Sequence, residues 1–217
     1  MWWLSLYRST IGKKVIMAVT GLVMAGFLVL HMAGNLQAFD GPARINGYSA
    51  FLHGTGELLW LVRVVLLVAV ALHIDAAIQL TRIARAARPQ DYAERRVQVS
   101  TIASRSLRWG GVVLAVFIVF HILHMTTGTV HPSFTPGDVY HNLVAGFRVW
   151  PVAVFYLVAM AALGLHLYHG VWSSARTLGI VHPNPQPLHR PVAVVVAVVV
   201  AAGFALIPIA VLAGWLR

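Results

Sequence analysis

Five long apolar stretches, separated by short polar segments, organise the chain. A helix needs about 20 apolar residues to cross the hydrocarbon core of a bilayer. The pattern predicts spanning helices over about 15–37, 58–82, 107–129, 149–173 and 191–215. Turn-forming clusters lie between them: Asp40-Gly41-Pro42, the run from Pro132 to Gly137, and the run from Pro183 to Pro191. Pro208 falls inside the fifth stretch, where it predicts a kink of the kind membrane helices tolerate. The stretch after MWWLSLYRSTIGKK is too long for the apolar region of a signal peptide, so the first helix is expected to be retained. The expected fold is all-α: an integral membrane five-helix bundle forming one domain over residues 1–217.

Four of the five stretches carry histidines: His31, His73, His121 with His124, and His166 with His169. An imidazole inside a bilayer is costly, which makes each a candidate for function. A membrane histidine can also serve only to hydrogen-bond a neighbouring helix. Four of them on four helices match what two b-type haems require, because each iron takes two axial imidazoles.

Composition sharpens this. Only 10% of residues are charged and 59% are hydrophobic, against about 25% charged in soluble domains. With no cysteine, the chain itself cannot hold iron–sulfur clusters, thiolate zinc sites or covalently attached haem. The formal charge of +10 does not point to nucleic acid, because no soluble region exists to carry such a site. It reflects topology instead. Arg8, Lys13 and Lys14, then Arg82, Arg85, Arg88, Arg95, Arg96, Arg105 and Arg108, then Arg176 and Arg190 put 12 positive residues on one side, against Arg44, Arg148 and Arg217 on the other. The positive-inside rule then predicts a cytoplasmic N-terminus.

With the orientation set, depth pairs the histidines. His31 and His121 fall in the outer layer, His73 and His166 in the inner one. At 1.5 Å per residue the layers are on the order of 15 Å apart. His124 and His169 follow three residues after His121 and His166 and are secondary candidates, suited to bonding haem propionates near the interfaces. Gly170, on the face of His166, leaves room for a flat macrocycle, and Gly110 and Gly111 relieve crowding at the inner depth. Lys13, Lys14, Arg82 and Arg108 are candidate partners for inner-haem propionates.

Several segments carry a family likeness. Ser9-Thr10-Ile11-Gly12-Lys13-Lys14, Met17-Ala18, Thr20-Gly21 and His31-Met32-Ala33-Gly34-Asn35-Leu36 form the first. Phe120-His121-Ile122-Leu123-His124 with Thr126-Thr127-Gly128 form the second, and Leu165-His166 through Gly170-Val171-Trp172-Ser173 with Leu178-Gly179-Ile180 the third. Together they resemble the cytochrome b subunits (b558 type) of succinate dehydrogenase and fumarate reductase, over about residues 9–190. The resemblance implies a five-helix anchor with two haems b, whose axial ligands carry over onto His31, His73, His121 and His166. It implies a flavoprotein subunit bearing FAD and an iron–sulfur subunit as partners. It also implies transfer of electrons from succinate to a quinone, usually menaquinone, in a bacterial cytoplasmic membrane. His124 departs from the family pattern of a single ligand in that helix.

Quinone reduction consumes protons, so an acid must reach the head group. Glu57 opens the second span near the outer pair and is the candidate, with His53 and Arg63 as neighbours in sequence. Glu57 also fits as an ordinary first-turn acid. Asp75 is expected to face away from the inner haem and to make a local hydrogen bond or serve an interfacial role. The basic connection from Arg82 to Arg108 suits docking of the iron–sulfur subunit as well as topology control. Two alternatives stand beside this: the dihaem anchor of a hydrogenase, formate dehydrogenase or nitrate reductase, and a proton- or metal-coupled transporter.

Overall fold

Ser9 starts the first membrane helix by accepting the Gly12 N–H on its hydroxyl at 2.9 Å, which satisfies a donor the helix cannot pair internally. Helix α1 runs Thr10–Leu36 and ends in a short 3-10 turn, Gln37–Asp40. Gly41, at φ 95°, adopts a conformation that favours glycine and turns the chain into α2, Pro42–Gly54. The long helix α3, Glu57–Ala86, follows. Helix α4, Ile102–His121, widens into a π-helical turn, Ile122–Thr126. Then come α5 (Val139–Arg148), α6 (Trp150–Thr177) and α7 (His189–Leu212). The computed structural model describes residues 7–87, 102–180 and 189–217. Arg88, Arg95, Arg96 and the 183–188 part of the last turn cluster lie outside the described residues.

Among the described residues five helices, α1, α3, α4, α6 and α7, are long and apolar enough to cross a membrane. Each falls where the hydrophobic pattern places a span, with ends shifted by a few residues. The chain is a multi-pass membrane protein. Two further helices were not expected. Helices α2 and α5 lie between spans, at the end of the bundle opposite the arginine-rich connections. They clasp one another: Asn46 donates to Asp138 at 2.9 Å and accepts the Tyr140 N–H at 3.0 Å. The end they cover is the capped end, and the opposite one is the basic end.

Helix α6 is the hub, packed against α7, α4 and α1. Its contact face includes Ala153 and Ala159, both fully buried, and Tyr156, Met160 and Leu163. Small residues let membrane helices approach closely where water supplies no driving force. Met32 of α1 and Val200 of α7 join the same core. Helix α3 packs along α1 and buries little else than Ala69 and Ala76. Outward-facing apolar residues such as Leu61, Leu67, Val112, Val119, Val195 and Val198 form the surface presented to lipid.

Candidate functional site

The helix order brings the four histidines together as two pairs. At the capped end His31 of α1 and His121 of α4 face each other with ring centres 5.9 Å apart and planes at 80°. At the basic end His73 of α3 and His166 of α6 stand 6.1 Å apart with planes at 57°. Neither α1 with α4 nor α3 with α6 is a packed helix pair. Each histidine pair therefore bridges a gap between helices. All four rings are half-buried.

Two helices give the vertical offset independently. His73 bonds Thr20, 11 residues before His31 on α1, and His121 bonds Tyr156, 10 residues before His166 on α6. Both intervals correspond to roughly 15 Å along a helix.

The donor set is informative. Two imidazoles on opposite sides of one metal, each bonded through nitrogen at about 2 Å, have ring centres roughly 6 Å apart. Both pairs have that spacing. Among the described residues no group of three or more His, Asp or Glu converges on one point. Two ligands alone suit a metal already held in plane by a macrocycle, as haem iron is. An added Cβ at Gly110, Gly111 or Gly170 would meet nothing within 4 Å.

The surroundings of the pairs differ. Phe27 stacks on His31 at 5.2 Å, Phe117 on His121 at 5.7 Å, and Phe204 tilts against His31 at 5.7 Å. At the basic end the Thr20 hydroxyl donates to the Ile16 carbonyl at 2.7 Å. With its proton committed there, the oxygen accepts from His73 Nδ1 at 3.2 Å and leaves Nε2 as the free lone pair. Gly21 lets this ring come close: a Cβ there would lie 3.2 Å from His73 Cε1.

Comparison with protein families finds a match over residues 84–207, more than half of the chain, to the succinate dehydrogenase/fumarate reductase transmembrane subunit. The chain belongs to that family. No curated protein and no solved structure matches. The matched region of this transmembrane subunit holds His121 and His166, while His31 and His73 lie before it.

The other predicted residues of this family member are less gathered. His124 is wholly enclosed, with Nδ1 3.0 Å from the Tyr156 hydroxyl and no partner for Nε2. The π turn carries it into the protein, against Gly146 and 4.8 Å from the ring of His131. His169 is half-buried and makes no hydrogen bond among the described residues. Glu57 is exposed in the first turn of α3. His53 bonds the Ser49 carbonyl at 2.8 Å, and Arg63 lies over Trp60 at 5.0 Å. A cavity of about 470 Å³ at the capped end is lined instead by Gln37, Ala43, Arg44, Gly47, Tyr48 and Phe51.

Lys13 is buried, with its ammonium bonded to the Tyr7 and Arg8 carbonyls at 3.1 and 2.8 Å. Asp75 accepts from Gln79, one turn on, at 2.6 Å and from Tyr7, 68 residues earlier in the chain, at 2.7 Å. That carboxylate raises the Tyr7 hydroxyl above its ordinary value, because the hydroxyl proton is held by it. Sequence reasoning missed Tyr156 and the role of Thr20. Each was visible only as a hydroxyl within an apolar stretch.

Proposed function

We propose that this subunit anchors the succinate-oxidising module to the membrane and carries electrons across it through two haems b to menaquinone. Family membership implies association with a flavoprotein subunit and an iron–sulfur subunit, which hold the FAD and the clusters this cysteine-free chain cannot. One observation carries the dihaem assignment: two histidine pairs about one haem-ligation distance apart, in tiers roughly 15 Å apart. His31 and His121 would hold one haem and His73 and His166 the other. When bound, the haems would supply one-electron transfer.

The protein's part is to hold the imidazoles in the correct tautomer and to keep the path dry. Thr20 does the first at His73. Phe27, Phe117 and Phe204 wall the capped tier. His124, enclosed by protein, supports its neighbours and does not ligate. His169, with Gly170 open beside it, is placed to bond a propionate of the basic-end haem.

The positive-inside rule places the basic end, with the N-terminus, on the cytoplasmic side of a bacterial inner membrane. The iron–sulfur subunit docks there, and the quinone meets the capped tier. Glu57 is assigned as proton donor to the quinone, with His53 and Arg63 nearby at the same end. The cavity beside Arg44, Tyr48 and Phe51 offers polar and aromatic walls for a head group.

The family match favours this over the anchors of hydrogenase, formate dehydrogenase or nitrate reductase, and over a transporter. The test is a visible spectrum of the membrane-bound complex before and after adding succinate. Reduced b-type bands are expected, partly quenched when a menaquinone analogue is supplied. A complex with no b-type absorbance overturns the assignment.

A further inference from the structure

Tyr156 is buried beside the capped tier, 6% exposed and packed on Phe147 of α5. Its hydroxyl lies 3.2 Å from His121 Nδ1 and 3.0 Å from His124 Nδ1. A phenol has one proton to donate and can accept others on its oxygen. The two imidazoles therefore cannot both receive from it. If His121 presents the Nε2 lone pair, its Nδ1 carries the proton and donates to Tyr156. Tyr156 then donates to His124 Nδ1, which leaves the His124 proton on Nε2.

The neighbours close the chain at that point. His131 has both ring nitrogens committed: Nδ1 accepts from the Ser133 N–H at 3.0 Å, and Nε2 donates to the Asn142 carbonyl at 2.9 Å. His124 Nε2 is buried without a partner, pressed against the face of α5 where a Cβ on Gly146 would lie 3.0 Å away. Enclosed in this way, His124 has one polar task, to accept from Tyr156. His31, across the pair, has no comparable support. Asn35 Nδ2 sits 3.4 Å from each of its ring nitrogens and is committed at 2.7 Å to the His31 carbonyl.

We propose that Tyr156 and His124 are positioning residues for His121, joined in a one-way hydrogen-bond chain from His121 Nδ1–H to Tyr156 and on to His124. The proposal rests on His121 being an axial ligand. The chain fixes the tautomer and ring orientation of that ligand and draws its Nδ1 proton outward, which makes the imidazole a stronger donor. A stronger donor favours the oxidised iron. The capped-tier haem is thereby held at a lower potential than an unsupported histidine would give.

The test is a redox titration of the intact complex carrying Tyr156→Phe, followed by visible and electron paramagnetic resonance spectra. Both haems are expected to remain. The capped-tier potential should rise by about a tenfold change in oxidised-to-reduced preference, ~59 mV for one electron, and its low-spin ferric signal should move. The basic-tier haem should be unchanged. His124→Leu should shift the same haem in the same direction. His124→Asn, whose amide oxygen can stand in for the Nδ1 acceptor, should restore it. This pair of variants reads the same chain if Tyr156→Phe fails to assemble. Equal shifts in both haems, no shift in either, or no difference between His124→Leu and His124→Asn would overturn the proposal. A wild-type complex lacking haem would instead remove the ligand assignment beneath it.

Discussion

The two histidine tiers share a donor set and a spacing but not a setting. The capped tier is crowded: three phenylalanines contact its rings, and a buried tyrosine ties His121 to a second, fully enclosed histidine. The basic tier is sparse: one threonine oxygen holds His73, a glycine admits its ring, and His166 Nδ1 is buried with no partner. Helix packing explains much of this. The capped tier sits where α4, α6 and α7 converge under α2 and α5, whereas His73 is carried by α3, which packs mainly on α1 among the described residues. As haem ligands, identical histidines in unlike surroundings would give two different potentials, since hydrogen bonding and burial set the electronics that the ligand type leaves open.

The largest predicted break in the comparison targets the sparse tier. Gly21→Val puts a branched side chain where a bare Cβ would already stand 3.2 Å from His73 Cε1. The ring must leave Thr20 and its alignment with His166. Haem content should fall by about half, with the capped-tier spectrum retained. Overpacking of this kind costs roughly 1–3 kcal/mol, too little to dissolve a bundle held by its other helices. Loss of both haems together would mean the tiers are not independent.

The smallest effect concerns the cap. Asp138 caps α5 by accepting the His141 N–H at 3.0 Å and also accepts from Asn46. Both bonds favour the charged form and lower its pKa from the ordinary carboxylate value. A depressed folded-state pKa gives stability that is present above the unfolded value and is lost as pH falls through the folded one. Asp138→Ala should cost about 1 kcal/mol, read as a modest drop in the thermal midpoint of the capped-tier haem band. The gap between variant and wild type should close on acidification below pH ~4.

The spans and the histidine pairing were legible because helical rise is fixed, so depth follows from residue count alone. The predicted span 58–82 and the observed Glu57–Ala86 differ only at the ends, where polar residues continue the helix past the apolar core. Helices α2 and α5 were not legible. Pro42–Gly54 mixes glycine, polar and apolar residues without an apolar stripe, and Val139–Arg148 abuts the next span. The enclosure of His124 depends on a π turn that widens the helix, which i+3 spacing does not foresee. Tyr156 reaches two histidines on α4 only because of how α6 packs on α4, a tertiary property with no local signature.

The most direct measurement is haem per chain in four single variants, His31→Ala, His73→Ala, His121→Ala and His166→Ala, each with a resolved redox titration. Two haems in the wild type are predicted. His31→Ala and His121→Ala should each lose the same component, and His73→Ala and His166→Ala the other. Loss of different components within one pair, or a wild-type chain that binds no haem, would contradict the two-tier account.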